Sequence, residues 1–346
     1  MLMEYDKSGS RQGGHMLIIR FSLMGDVAMS LHSIMALRKQ YPSLRITIAT
    51  KKKFAKFYET VPDSQVITLG DPGNFKSLLQ LIKTLKSMDI DYVADIHNTI
   101  RGKLIRNSLR FKGAKVAVLD KERKLRRRLK RMKGTDIIPI RHNVLRFCDV
   151  FARLGFPVAD PVVSRKILPV PEGFAGELEA SGHDTSGWIG FAPFASKEIK
   201  IYPEEKRSEL IRMLSEKFER VFIFGGPGKE KDYAMKMEEM YKNVTSVFGK
   251  TDIQGEIALI SNLSALITMD SGAMHMASLV GTRTISVWGA THPAAGFFGY
   301  GEDASKDFVQ VELPCRPCSI YGEGECTRGD FKCMNDIKPE DIIKRI

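Results

Sequence analysis

Residues 263–292, LSALITMDSGAMHMASLVGTRTISVWGATH, constrain the fold more than any other stretch of the chain. Ala265–Met269 is a short apolar run followed by turn chemistry, the signature of a strand buried on both faces of a parallel sheet. Asp270, Ser271 and Gly272 halt it, and Asp270 and Ser271 are good helix N-caps. Residues 273–280 read as a helix with Gly281 at its C′ position, and Thr284–Trp288 as a second strand closed by Gly289, Thr291 and Pro293. Such a strand–helix–strand unit sets its loop at the carboxyl end of the first strand, where open α/β sheets bind ligands. The helix start there offers N–H groups and a positive dipole end suited to a diphosphate. The plainer reading is that Asp270 and Ser271 only cap a helix and that His275 is a satisfied first-turn residue; this stretch alone does not separate the two.

The same alternation runs through the rest of the chain. Residues 16–20 (MLIIR) predict a first parallel strand, and residues 27–41 a helix with apolar positions at Val27, Leu31, Ile34, Met35 and Leu37. Asp26 therefore falls in the strand-to-helix loop, as an N-cap or as a functional carboxylate. That loop does not spell G-x-G-x-x-G, which argues against a dinucleotide-binding dehydrogenase domain. Further strands are expected at 45–49, 65–69, 92–96 and 116–118, and in the second half at 188–191, 221–224 and 244–247. The fold class is α/β with mostly parallel sheets, and 346 residues are too many for one core. The proline-rich stretch after residue 155 marks the boundary. Residues 1–15 read as a disordered tail, 16–170 as an N-terminal domain and 171–346 as a C-terminal domain.

The net charge of +12 is uneven: residues 101–133 hold 15 Lys and Arg against two acids, a net of +13, so the remainder sums to −1. A basic segment in an otherwise neutral protein implies a local anionic partner or, more plainly, a solvated helix face. It has almost no aromatic interleaving and no nucleic-acid reading motif, so nucleic acid is not expected as a partner. No apolar run is long enough for a membrane span, and no signal peptide heads the sequence. The loop Gly225-Gly226-Pro227-Gly228-Lys229-Glu230 follows a strand and either admits a phosphate or sugar to the backbone or is a tight turn; it lacks the Walker Lys-Ser/Thr pair. Cys315, Cys318, Cys326 and Cys333 are spaced C-x2-C-x7-C-x6-C, a set that could hold structural zinc, remain as buried thiols or form a labile disulfide.

Four motifs, in order, resemble glycosyltransferase family nine, the ADP-heptose:lipopolysaccharide heptosyltransferases. Residues 20–26 (RFSLMGD) are similar to that family's R-x-S-x-x-G-D opening and residues 200–203 (KIYP) to its K-x-W-P. Residues 269–275 (MDSGAMH) are similar to its D-[ST]-G-x-x-H loop and residues 289–293 (GATHP) to its G-x-T-x-P. The resemblance implies a GT-B architecture, two Rossmann-like domains facing across a cleft. It implies transfer of a heptose or related sugar from a nucleotide-diphosphate donor, ADP-heptose, to an anionic lipid-linked saccharide of the lipopolysaccharide inner core, with inversion and without a catalytic cofactor. By the same resemblance Asp26 is the catalytic base and Lys200 contacts the donor phosphates. Asp270, Ser271, Gly272 and His275 line the diphosphate site, and Glu230 stands near the donor ribose. The basic segment, with Arg126, Arg127 and Arg128, then has the anionic acceptor as its partner, at the cytoplasmic face of the bacterial inner membrane. The alternative is a sugar-nucleotide-binding protein of the same fold without turnover.

Overall fold

The computed structural model describes residues 13–70, 73–132 and 137–346. The chain divides into two compact units, Met1–Glu122 with Asn143–Val162, and Arg123–His142 with Val163–Ile346.

In the first unit, β1 (His15–Ile19), β2 (Arg45–Lys51), β3 (Ser64–Leu69), β4 (Tyr92–Asp95) and β5 (Lys115–Val118) form one sheet in the order β3-β2-β1-β4-β5. Every pairing is parallel, with Leu17 of β1 opposite Thr47 on one side and Val93 on the other. Helices cover the sheet because their apolar stripes match it: Leu78, Leu81 and Leu85 of Phe75–Lys86 and Ile105 and Leu109 of Ile100–Arg110 bury against Leu17, Ile19 and Val93. The strand order reverses between β1 and β4, which opens a crevice at their carboxyl ends.

Two details differ from the sequence expectation. The first helix spans Met24–Gln40, so Gly25 and Asp26 lie in its first turn and not in the loop before it. Leu23 is extended there, and the Asp26 carboxylate accepts its backbone N–H at 3.5 Å, which draws the helix start back toward the strand. Of the expected tail, residues 1–12 lie outside the described residues, whereas His15 belongs to β1, buried, with Nε2 2.8 Å from Thr47 Oγ1.

The second unit holds β6 (Trp188–Ala192), β7 (Arg220–Ile223), β8 (Val244–Ser246), β9 (Ala265–Met269), β10 (Thr284–Trp288) and β11 (Phe308–Gln310). Their order is β11-β10-β9-β6-β7-β8, again all parallel, and the reversal falls between β6 and β9. Tyr202, where the family motif has Trp, is fully buried and its hydroxyl donates to the Ile337 carbonyl at 2.7 Å.

The basic helix Arg123–Arg131 was expected in the first domain but groups with the second unit. Leu129 and Ile140 bury against Ala295 and Ile320, and Ile140 N donates to the Ala294 carbonyl at 2.8 Å. Residues from 163 onward also join this unit, ahead of the boundary expected at 170. Arg165 donates to Thr282 Oγ1 at 2.5 Å and to the Leu263 carbonyl at 2.6 Å, and Lys166 N to the Val280 carbonyl at 2.9 Å. Among the described residues no helix is long and apolar enough to cross a membrane.

Candidate active site

Each unit gathers its reactive side chains where its strand order reverses. In the first unit, the chain leaving β1 carries Arg20 to Asp26 and the chain leaving β4 carries Ile96 and His97. Arg20 is buried; its Nη1 donates to the Ile96 carbonyl at 2.7 Å and its guanidinium lies 5.6 Å from the centre of the Phe147 ring. Its Nη2 pairs with Asp26 Oδ2, whose side chain remains 27% exposed. A carboxylate held by a buried cation yet open to solvent can accept a proton from a hydroxyl that approaches it.

His97 braces this loop. Phe21 N donates to His97 Nδ1 at 3.3 Å, so the ring proton sits on Nε2, which donates to Ser22 Oγ at 3.0 Å. Burial, with the Arg20 charge adding to it, pushes the imidazole down to about 3, so it is neutral at neutral pH. The turn that carries His97 is itself fixed by Asp95 at the end of β4. Asp95 pairs with Arg106 and accepts His97 N at 3.0 Å and Asn98 N at 2.7 Å.

In the second unit, Lys200 ends a short turn that follows β6, and Asp270 follows β9. Lys200 Nζ stands 2.9 Å from Asp270 Oδ2 and donates to the Asp270 carbonyl at 3.3 Å. Thr291, in the chain leaving β10, donates to the same Oδ2 at 2.8 Å. A lysine ammonium is thereby fixed beside the start of the helix Gly272–Val280. Ser271 is the N-cap residue, but its hydroxyl lies 3.1 Å from Thr268 Oγ1 and does not cap the helix. The first-turn N–H groups are left to another acceptor, the arrangement an anion requires. Gly281 closes the helix in the left-handed region, as the sequence predicts.

The remaining expected residues are placed as follows. His275 is buried in the first turns of that helix, and its nearness is one of the smaller influences on His142, whose imidazole burial pushes down to about 4. Glu230 lies in the first turn of Lys229–Met240, and its Oε2 accepts Gly226 N at 2.6 Å, closing the glycine-rich loop. Arg126 faces inward, which departs from its expected place on an acceptor surface. It is 7% exposed, with its guanidinium 4.4 Å from the Phe297 ring centre and 5.6 Å from that of Tyr321. Arg127 and Arg128 are exposed. Cys315, Cys318, Cys326 and Cys333 line one small cavity as free thiols. Among the described residues no group of three or more His, Cys, Asp or Glu side chains is arranged to hold a metal ion.

Several contributors had no role in the sequence reading, His97, Asp95 and Arg106 among them. Arg20 stood inside a quoted motif, and its place one residue beyond a strand was the available signal. Thr291 likewise stood in a motif, whereas Arg316, which donates to the Thr291 carbonyl, was hidden between two cysteines.

The family model for glycosyltransferase family 9 (heptosyltransferase) matches residues 78–323. Lipooligosaccharide heptosyltransferase 2 of Campylobacter jejuni is 22% identical over 328 residues, 93% of this chain and 95% of the relative. Among solved structures, E. coli ADP-heptose lps heptosyltransferase II superposes with a TM-score of 0.68 at 18% identity, covering 96% of this chain and 97% of that one. The E. coli heptosyltransferase WaaC with ADP gives 0.62 at 18% identity, covering 83% and 92%. These likenesses make the fold GT-B, with two Rossmann-like units.

Proposed function

Because the chain belongs to glycosyltransferase family 9 and is therefore a glycosyltransferase, we propose that it moves a heptose from ADP-heptose to a lipopolysaccharide inner-core acceptor with inversion. The observation that carries this reading is the pairing of Lys200 with Asp270 and Thr291 beside an uncapped helix start, at the strand-order reversal of the second unit.

The proposed chemistry is a single displacement. Asp26 takes the proton of the acceptor hydroxyl while that oxygen bonds to the anomeric carbon. The bond from that carbon to the diphosphate breaks, and ADP leaves with the electron pair; attack opposite the leaving group inverts the centre. Lys200 and the N–H groups at the start of Gly272–Val280 stabilise the negative charge that grows on the leaving diphosphate, a role that needs no metal. Asp270, Ser271, Gly272 and His275 shape that pocket, and Glu230 holds the donor ribose beside the loop it already closes. Arg20 keeps the base in place, and His97, neutral, keeps the loop of Arg20 in place.

The exposed cations of the basic helix, Arg127 and Arg128 among them, are proposed to attract the carboxylates and phosphates of the acceptor. Arg126 anchors that helix through its aromatic contacts. A protein acting on a lipid-linked saccharide works at the cytoplasmic membrane surface, and peripheral association through the same cations is part of the proposal.

Calorimetry with ADP tests the donor assignment. Lys200→Ala removes a charge-assisted contact of about 1.5–3 kcal/mol, so ADP is expected to bind about 10–100-fold more weakly. Unchanged affinity would place the phosphates elsewhere.

A further inference from the structure

Arg316 is among the largest fully buried side chains of the second unit, 2% exposed, and among the described residues no carboxylate is paired with it. A guanidinium in that position is tolerated only when its donors are satisfied. It donates to the carbonyls of Gly289 at 2.5 Å, Val311 at 2.6 Å, Thr291 at 3.0 Å and Trp288 at 3.1 Å, and to Gln310 Oε1 at 3.1 Å. Three of these five acceptors belong to the last residue of β10 and the chain leaving it, the segment that brings Thr291 to Asp270. Residues next to Arg316 hold the same segment: Cys318 N and Ser319 N donate to the Ala290 carbonyl at 3.1 and 3.2 Å.

The cysteine-bearing segment touches the lysine by a second route. Gly322 has φ +81°, and a Cβ there would stand 2.5 Å from Lys200 Cε and 2.9 Å from its Cγ. The glycine thus lies flat against the stem of Lys200, and no larger residue fits without moving it. Far apart in sequence, residues 316–322 and Lys200 are joined by packing and by the two-bond chain Thr291–Asp270–Lys200.

We propose that Arg316 is a positioning residue of the donor site. It fixes the β10 loop so that Thr291 and Asp270 hold the Lys200 ammonium in register with the helix start, while Gly322 sets the path of the lysine stem. The cysteine-bearing segment is then part of the donor site and not a remote appendage. The shape of the guanidinium is what matters: a lysine at 316 keeps the charge but has three donors on one atom and cannot reach carbonyls spread over residues 288–311. This inference rests on the reading that Lys200 holds the donor diphosphate.

The test compares ADP with adenosine on the full chain, by calorimetry and by saturation-transfer NMR, for Lys200→Ala, Arg316→Lys, Gly322→Ala and the double variant Lys200→Ala/Gly322→Ala. Arg316→Lys and Gly322→Ala are each expected to weaken ADP by about 3–10-fold and leave adenosine unchanged, because a displaced lysine forfeits part of one charge-assisted contact. The double variant is expected to bind ADP no more weakly than Lys200→Ala alone, since both changes act on one contact. A merely structural role would lower ADP and adenosine together and make the double variant additive, and either result overturns the proposal. If Arg316→Lys does not fold, Gly322→Ala and the double variant decide. Weaker ADP binding in Lys200→Ala with unchanged binding in the other single variants removes this inference alone; unchanged binding in Lys200→Ala removes the donor reading and this inference with it.

Discussion

Replacing Asp26 by asparagine separates proton transfer from packing at the first half-site. The carboxylate pairs with a buried Arg20 and accepts Leu23 N at 3.5 Å. Asparagine keeps the shape and an acceptor oxygen but loses the charge, while Arg20 keeps the Ile96 carbonyl at 2.7 Å and the face of Phe147. Removing the partner of a fully buried ion costs about 3–5 kcal/mol. Here the Asp26 side chain is 27% exposed, so water reaches the vacated side, and a loss of about 1–2 kcal/mol is expected. For a unit of this size that lowers the thermal midpoint by roughly 2–8 °C. The chemical step suffers more, because an amide cannot take the acceptor's proton: about 10²–10⁴-fold in rate, or roughly 3–5 kcal/mol of barrier. The assay is ADP release from ADP-heptose at saturating inner-core acceptor, run well below the unfolding transition, with ADP affinity measured in parallel. A kcat lower by about 100-fold or more, with ADP affinity within about twofold of wild type, is expected. Asp26→Ala should be less stable than Asp26→Asn yet no slower, since neither carries a base. Near-wild-type turnover in folded Asp26→Asn would refute the reasoning and leave Asp26 as the partner of Arg20 and a helix-start residue.

Charge reversal on the basic helix should divide by side chain. Arg127→Glu with Arg128→Glu is expected to raise the acceptor KM and flatten its salt dependence without changing the donor KM, whereas Arg126→Ala should mainly lower the free energy of unfolding, by about 1–3 kcal/mol of lost cation–π contact and packing, read in a denaturant titration. Burial pushes Glu302 up to about 8 from an ordinary value of 4.5, against the opposing hydrogen bonds from Thr284 and Gly299. Its contribution to stability is therefore full below about 4.5 and is lost as pH rises to about 8. Glu302→Gln should gain stability relative to wild type over that window in pH-dependent denaturation; parallel curves would contradict this. The four thiols line one small cavity, and elemental analysis of the reduced protein tests them as a zinc site, where four ligands would hold about one equivalent. A full equivalent would show that Cys315, Cys318, Cys326 and Cys333 close on an ion.

The parallel strands were legible because burial on both faces makes them continuous apolar runs, as in β1, β6, β9 and β10. β11, three residues at a sheet edge, is too short for any periodic signal. Asp26 and Lys200 could be placed because each stands a few residues beyond such a run. The partners that fix them were not visible: Arg20 meets Asp26 and the Ile96 carbonyl, and Arg316 meets carbonyls 5 to 28 residues away, contacts set by strand order. In the basic run, composition alone does not say which cation turns inward. Arg126 does so with Leu129, three residues on and on the same helix face, both packed against the rest of the second unit. The same burial that hides Arg126 assigns the whole helix to that unit, which a charge count cannot reveal.

The central claim is that this chain transfers heptose through a base on the first unit and a diphosphate site on the second. Its most direct measurement is mass spectrometry of an inner-core acceptor incubated with ADP-heptose and the purified protein, with ADP quantified in the same reaction. The account predicts one heptose gained per ADP released, in the anomeric configuration opposite to that of the donor. ADP-heptose that binds without any gain in acceptor mass would contradict it.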